Sequence, residues 1–497
     1  MNLAGILANA ARFFPARPAV LAAGREITYA ELAQEAGLAA AAAAARGVAP
    51  GDLAAICLPN GPAWLAAYFG LQGAGGAAVT LAYTLTGEEL AQVLDDCRPG
   101  LLITTAEKLA LLGDRADRPY LHTVVAPGGD LDWEGFLALA GGTPLAPVER
   151  ERGDLAAVLY TGGTTGRSKG VMLSHQNLLA SAHNVARQER STEDDRVLCF
   201  LPLNHVFGQV HVMLSTILTA GSLDLLPGFD LEQVLAALEH GGVTKFYAVP
   251  TIYVRLLAQP GIGGRLGRVR YTFSAAASMA RELVREWKEA TGLDIHEAYG
   301  MTESAAMVSY NHYYRHKVGS VGTPVGTVEV AILDPAGHRL VPGQEGEICI
   351  QGPNIMQGYL NQPEETRRAF HGPWFRSGDV GYLDDEGYLF IVDRIKDMII
   401  TGGENVYPRE IEELLYTLPE VEECAVVGLP DREYGERVTA AIKLKPGASL
   451  TPESLKAFLK EHLTSFKVPK AFYLVDELPK SATGKILKRN LRQELAG

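Results

Sequence analysis

Tyr160-Thr161-Gly162-Gly163-Thr164-Thr165-Gly166-Arg167-Ser168-Lys169-Gly170 decides how the rest of the chain is read. The apolar run Leu155 to Leu159 before it reads as a strand, and Val171 to His175 after it as the opening of a helix. Glycines permit positive φ and a close backbone approach, so successive N–H groups can point at one anion. Threonine hydroxyls add donors, and Lys169 adds charge. The stretch is therefore a phosphate-binding loop, with a surface turn as the plainer alternative. It is not the P-loop of NTPases, which needs Ser or Thr after its lysine, because Ser168 precedes Lys169 and Gly170 follows it.

Upstream, short β-like runs alternate with helical ones. Ala19 to Leu21 and Glu26 to Tyr29 read as a hairpin about Gly24, and a helix runs from Tyr29 through the alanines at 38–45. Strands are expected at 53–58, 77–80 and 101–104, with a helix at 64–73, a spacing that predicts a parallel sheet with helical crossovers. The alanine run reads as a helix former packed closely, not as a functional tract.

Downstream, Leu201 to Gly208 joins a strand ending at Phe200 to an apolar helix at 212–218; His205 in that joint reads as a core histidine or a functional one. Phe246 to Thr251 is a strand with a proline-marked helix start. Tyr271 to Ser278 is a strand entering a turn of small residues, where Ala275 and Ala276 either admit a ligand or only pack strand on helix. In Ile295 to Glu303 a strand ends in Tyr299, Gly300 permits a turn, and a hydroxyl and a carboxylate follow at Thr302 and Glu303; a turn before a capped helix would look the same. Residues 346–360 read as β-structure with glycine turns. Asp379, between Gly378 and Gly381, suits a diol or a tight turn. Past the turn-rich 384–387 the organisation changes, with strands at 421–427 and 438–444 and helices at 409–416 and 452–463, a small α+β domain of ordinary size.

A chain of 497 residues, 47% apolar, exceeds one hydrophobic core and predicts at least two domains. A net charge of −13 without basic blocks argues against general nucleic-acid binding or a membrane-surface patch. The five cysteines, at 57, 97, 199, 349 and 424, have neither CxxC nor metal-ligand spacing. Without a signal-like or membrane-spanning run, a cytoplasmic enzyme is expected.

Taken together, these motifs resemble, over essentially the whole chain and in order, the AMP-forming acyl-adenylating superfamily of acyl-CoA synthetases, adenylation domains and beetle luciferases, closest to fatty- or aryl-acid CoA ligases. The resemblance implies an α/β body of packed mixed sheets with a small β-barrel-like subdomain (1–393) and a smaller mobile α+β domain (394–497) hinged at Lys396. It implies a nucleotide held by Thr161, Gly162, Gly163, Thr164, Thr165, Gly166, Lys169, Ala277, Glu297, Tyr299, Gly300, Thr302, Asp379, Arg394 and Lys485. Adenine would stack on Tyr299, the ribose would bond Asp379, and Mg²⁺ would bind Glu303. Lys485, with Glu303, Thr302 and His205, would serve adenylation; Gly402 and Gly403 would line a thiol tunnel; His205, Phe207, Val249, Ala275, Ala276 and Met301 would form an acyl pocket without a charged anchor, suited to a hydrophobic acid.

The reaction implied is activation of a carboxylic acid by ATP, with release of pyrophosphate, then transfer to coenzyme A. An amine or a carrier-protein thiol is the alternative acceptor, and a non-catalytic nucleotide sensor is the alternative class. Gly162, Ser168, Asn204 and the alanines at 275–277 depart from the family's usual residues, but none removes a charged group.

Overall fold

The computed structural model of the chain describes residues 1–113, 117–161, 168–277, 279–481 and 484–496. Gly162, Gly163, Thr164, Thr165 and Gly166 lie outside the described residues. A seven-stranded sheet has the order Gly358–Tyr359, Lys169–Ser174, Leu155–Thr161, Ala77–Thr80, Leu53–Cys57, Leu101–Thr104, Thr123–Val125. From Leu155–Thr161 outward its pairings are parallel. The strand Lys169–Ser174 instead runs back antiparallel to Leu155–Thr161, with Thr161 opposite Lys169.

That return strand corrects the expectation of a helix opening at 171. Val171 and Leu173 are buried while Met172 between them is half-exposed, a two-residue period that pairs the segment with its predecessor. The helix begins at His175, where Ser174 and Asn177 form a reciprocal cap. Thr161 and Lys169, which flank the glycine-threonine stretch, are thus side by side on one hairpin.

A nine-stranded sheet places four parallel neighbours, Ile295–Tyr299, Tyr271–Ser274, Lys245–Ala248 and Arg196–Cys199, in one row. All four are almost wholly buried. Their carboxyl ends face one side, which is where open α/β sheets bind ligands. The helix expected at 212–218 is longer and different: Phe207–Leu214 is a π-helix that passes into an α-helical turn, Ser215–Leu218. Gly208 is required there, since a Cβ would lie 2.4 Å from the Pro202 carbonyl oxygen.

The alanine-rich helix Tyr29–Ala45 packs on Pro62–Gly73 at very short range, a Cβ on Gly70 falling 2.7 Å from that of Ala39. Alanine is there because nothing larger fits. A five-stranded antiparallel sheet formed by Glu329–Leu333, Gly346–Gln351, Trp374–Leu383, Phe370–His371 and Leu389–Arg394 follows in sequence.

The last sheet joins Ile399–Thr401, Glu404–Val406, Val421–Asp431, Gly435–Leu444 and Ala471–Leu474. Helices Pro408–Leu415 and Pro452–His462 cover it, and Ile411, Val426, Ile442 and Leu455 belong to a core separate from that of the large sheets. It docks on the rest through Arg409, whose N–H donates to Asp393 Oδ2 (3.0 Å) and whose Nη1 donates to the Ile391 carbonyl (2.7 Å). All five cysteines are buried free thiols. No helix among the described residues is long and apolar enough to cross a membrane.

Candidate active site

The segments that follow the four parallel strands meet the small domain around a cavity of about 650 Å³. Its walls include Thr161 and Lys169 from the hairpin of Leu155–Thr161 and Lys169–Ser174, Met301, Thr302 and Glu303 from the turn after Tyr299, and Arg394, Lys396 and Lys485. These residues lie up to 324 positions apart in sequence, counting from Thr161 to Lys485. Lys485 is partly open to the cavity and enclosed by protein elsewhere. Burial first, then the Arg394 and Lys396 charges, push its ammonium down to about 8. Lys169, Arg376, Arg394, Lys396 and Lys485 line this cavity against Glu303 and Glu347, an excess of cations that suits a polyanion.

A second cavity of about 270 Å³ shares Ala276, Ala298, Gly300, Met301, Arg394 and Lys485 with the first and continues to Ala277, Glu297, Tyr299 and Asp379. Asp379 is buried; Tyr299 Oη donates to its Oδ2 (2.5 Å) and Arg394 Nε to its Oδ1 (3.0 Å). A carboxylate accepts about four hydrogen bonds, so two places remain for a diol. Burial opposes the Arg394 charge, but Asp379 outweighs it and holds the guanidinium above its ordinary range. Glu297 is buried, and its Oε2 has no partner among the described residues; burial, only partly offset by Arg409, raises its carboxyl to about 8.

Two backbone features shape this wall. A Cβ on Gly300 would lie 1.5 Å from the Ala306 carbonyl oxygen, so only glycine fits. Ala276 takes φ +71°, the left-handed conformation that a glycine would adopt freely, at a cost of about 1–2 kcal/mol. The turn keeps its shape despite losing glycine's freedom.

Glu303 faces the first cavity, and Tyr359 Oη donates to its Oε1 (2.9 Å). No cluster of three or more His, Cys, Asp or Glu capable of holding a metal occurs among the described residues. One carboxylate with a free oxygen fits Mg²⁺, which takes one or two protein carboxylates and completes its shell from phosphate and water. Lys169 lies 4.9 Å above the Tyr359 ring and bonds Glu365 Oε2 at 2.6 Å. Sequence reading missed that partner: Glu365, in the first turn of Pro363–Arg368, looks like an ordinary helix-start acid.

His205, Phe207, Ala275, Ala276 and Met301 line the first cavity. The Phe207 N–H donates to His205 Nδ1 (3.2 Å), so the ring proton sits on Nε2. Burial and then Lys485 lower this imidazole to about 4, and it is neutral at pH 7. Val249 is buried under Gly484 and lines neither cavity, nor does Asn204. Gly402 and Gly403 turn the Ile399–Thr401/Glu404–Val406 hairpin at positive φ and also lie outside both cavities. Sequence reading missed one polar wall residue, His211, which lines the cavity with buried Glu189 bonded to its Nε2 at 2.8 Å. A mainly hydrophobic run surrounds His211 in sequence, and Glu189 lies 22 residues before it.

The AMP-binding enzyme family profile matches residues 7–360, and that of the AMP-binding enzyme C-terminal domain matches 410–485. A feruloyl-CoA synthase of Amycolatopsis sp is 37% identical over 486 residues, covering 97% of each chain. The anthranilate CoA ligase AuaEII, solved with anthranoyl-AMP, superposes with a TM-score of 0.94 at 29% identity, over 99% of this chain and 97% of that one. MatB from Rhodopseudomonas palustris, 35% identical over 100% of this chain and 99% of its own, superposes at 0.91 with ATP bound and at 0.80 in the apo form.

Proposed function

This chain belongs to the AMP-binding enzyme family, and from that premise we propose that it is an AMP-forming carboxylate–CoA ligase acting on a hydrophobic, fatty or aryl, acid. The observation that carries the reading is the convergence of Thr161, Glu303, Arg394 and Lys485 on one cavity that continues past Asp379 and Tyr299.

A carboxylate has oxide as its leaving group and must first be activated. In the first half-reaction a carboxylate oxygen bonds the α-phosphorus of ATP while the bond to the β-phosphate oxygen breaks, giving acyl-adenylate and pyrophosphate. Asp379 accepts from the ribose diol, Tyr299 offers its ring face to the adenine, and Glu297 meets the adenine edge. Lys485, with Arg394 and the lysine of the phosphate hairpin, faces the charge that moves toward pyrophosphate. Preorganised donors of this kind are worth about 10²–10³ in rate each. Glu303 would hold Mg²⁺, which neutralises phosphate charge when bound. Neutral His205 offers Nε2–H to the acid's carboxylate without adding a further cation.

In the second half-reaction the CoA sulfur bonds the acyl carbon and AMP leaves. The small domain turns about Lys396, withdrawing Lys485 and bringing the Gly402–Gly403 hairpin to the cavity. Two observations support the present arrangement as the adenylating one: Lys485 faces the cavity, and the superposition on MatB is better for its ATP-bound form. The names of the relatives favour CoA over an amine or a carrier thiol. Pyrophosphate release with ATP and a panel of acids, with CoA, an amine or no acceptor, tests the reading. Acid-dependent release that turns over only with CoA is expected; no release with any acid refutes it.

A further inference from the structure

Residues 354–360 cross from the turn that carries Glu303 to the hairpin that carries Lys169, tied at both ends. Asn354 Nδ2 donates to the Ser304 and Met307 carbonyls (3.0 and 2.7 Å), and the Met356 N–H donates to the carbonyl of Glu303 itself (2.8 Å). Farther on, the Gln357 and Leu360 N–H groups donate to the Met172 and Gly170 carbonyls, and Tyr359 pairs antiparallel with Val171. The Tyr359 N–H donates to Thr366 Oγ1 (2.9 Å). A backbone held at this many points sets where the Tyr359 side chain goes.

It goes to the cavity wall, between an acid and a cation that line the same wall. The Tyr359 hydroxyl donates to Glu303 Oε1 (2.9 Å), and Lys169 Nζ stands 4.9 Å from the centroid of the same ring. The face of an aromatic ring is the negative side of its quadrupole and attracts an ammonium without neutralising it. The other contact of Lys169, Glu365, does not line the cavity and is shared with Arg368 at 3.1 Å. At the second end, the terminal torsion of a glutamate is broad, and a donor fixed on Oε1 restrains the plane in which Oε2 is offered. Mg²⁺ demands near-ideal octahedral geometry and is sensitive to that plane.

We propose that Tyr359 is a positioning residue with two arms: its hydroxyl orients the Glu303 carboxylate for Mg²⁺, and its ring face seats the Lys169 ammonium beside it. The inference rests on the ligase reading and adds to it a residue that acts through two others. Partners that orient a metal-binding side chain are worth about 10–100-fold in metal affinity.

The two arms can be removed separately, since Tyr359→Phe loses only the hydroxyl and Tyr359→Leu loses the ring as well. Calorimetry on the full-length protein reads two affinities: that for ATP in EDTA, and that for Mg²⁺ added to the ATP complex with protein in excess over nucleotide. Tyr359→Phe should bind ATP in EDTA within threefold of wild type and bind the metal tenfold or more weakly. Tyr359→Leu should repeat the metal loss and also weaken ATP binding in EDTA threefold or more, because Lys169 loses its seat. General loosening of the fold would instead lower both affinities together in Tyr359→Phe. That result, or a metal loss below tenfold in Tyr359→Phe, overturns the role of the hydroxyl. A loss below threefold for ATP in EDTA in Tyr359→Leu overturns the role of the ring. Absence of ATP binding by the wild type overturns the ligase reading itself.

Discussion

Lys485→Met separates chemistry from stability. The wild-type ammonium is held among Arg394 and Lys396 and titrates near 8 in place of 10.5. At ~1.4 kcal/mol per tenfold change in an equilibrium constant, this depression withholds up to about 3 kcal/mol of folding free energy at neutral pH. The sign follows from proton binding. Between 8 and 10.5 the unfolded chain holds a proton that the folded chain has lost, so the penalty is full below pH 8 and fades as pH rises toward 10.5.

Methionine keeps the length of the side chain and removes the charge, so the variant should denature at a higher midpoint than wild type at pH 7, with the gap narrowing above pH 8. Its adenylation rate, read as pyrophosphate release, should fall about 10²–10³-fold. CoA transfer from a supplied acyl-adenylate should stay within a few-fold of wild type. In the wild-type enzyme, kcat/KM for ATP should decline above pH 8, where the free enzyme loses the ammonium. Adenylation within tenfold of wild type, or equal loss in both half-reactions, refutes the assignment; an unchanged midpoint at pH 7 refutes the burial argument.

Lys396→Pro should stall thioester formation while adenylation proceeds. Its N–H bonds no described backbone group, and the turn closes instead through Asp397 and Met398 N–H to the Arg394 carbonyl; an unchanged overall rate argues against rotation there. Gly300→Ala drives a methyl into the Ala306 carbonyl oxygen and should abolish ATP binding, measured calorimetrically, since no side chain can yield there; retained binding sinks the tight-turn account. Glu297→Gln mimics the protonated acid that its raised pKa maintains, so KM for ATP at pH 7 should change by less than about threefold. The variant should be more stable than wild type at pH 8 and equal to it near pH 4, because a carboxyl raised to about 8 costs stability only once the unfolded chain ionises near 4.5. A large loss of ATP affinity at pH 7 would show that Glu297 acts as an anion.

The amino-acid sequence by itself determined the class of fold, the existence of a separate C-terminal unit, and the order of the charged motifs. Those rest on local periodicity, on turn chemistry and on residue types that survive without neighbours: a glycine-threonine loop ending in Lys169, a carboxylate after Tyr299, Asp379 between glycines, and a late Lys485. Tertiary structure alone decided what these groups meet. Strand pairing turned 169–174 from an expected helix start into the return arm of a hairpin, because pairing with Leu155–Thr161 is a long-range choice that local propensity does not encode. Burial, a property of the whole packed molecule, set the Lys485 and Glu297 protonation and left Val249 beneath the site and not in it. The pairing of His211 with Glu189 belongs to the same class: a lone histidine in an apolar run gains its chemical character from a carboxylate delivered by another element, and only the fold brings the two within a hydrogen bond.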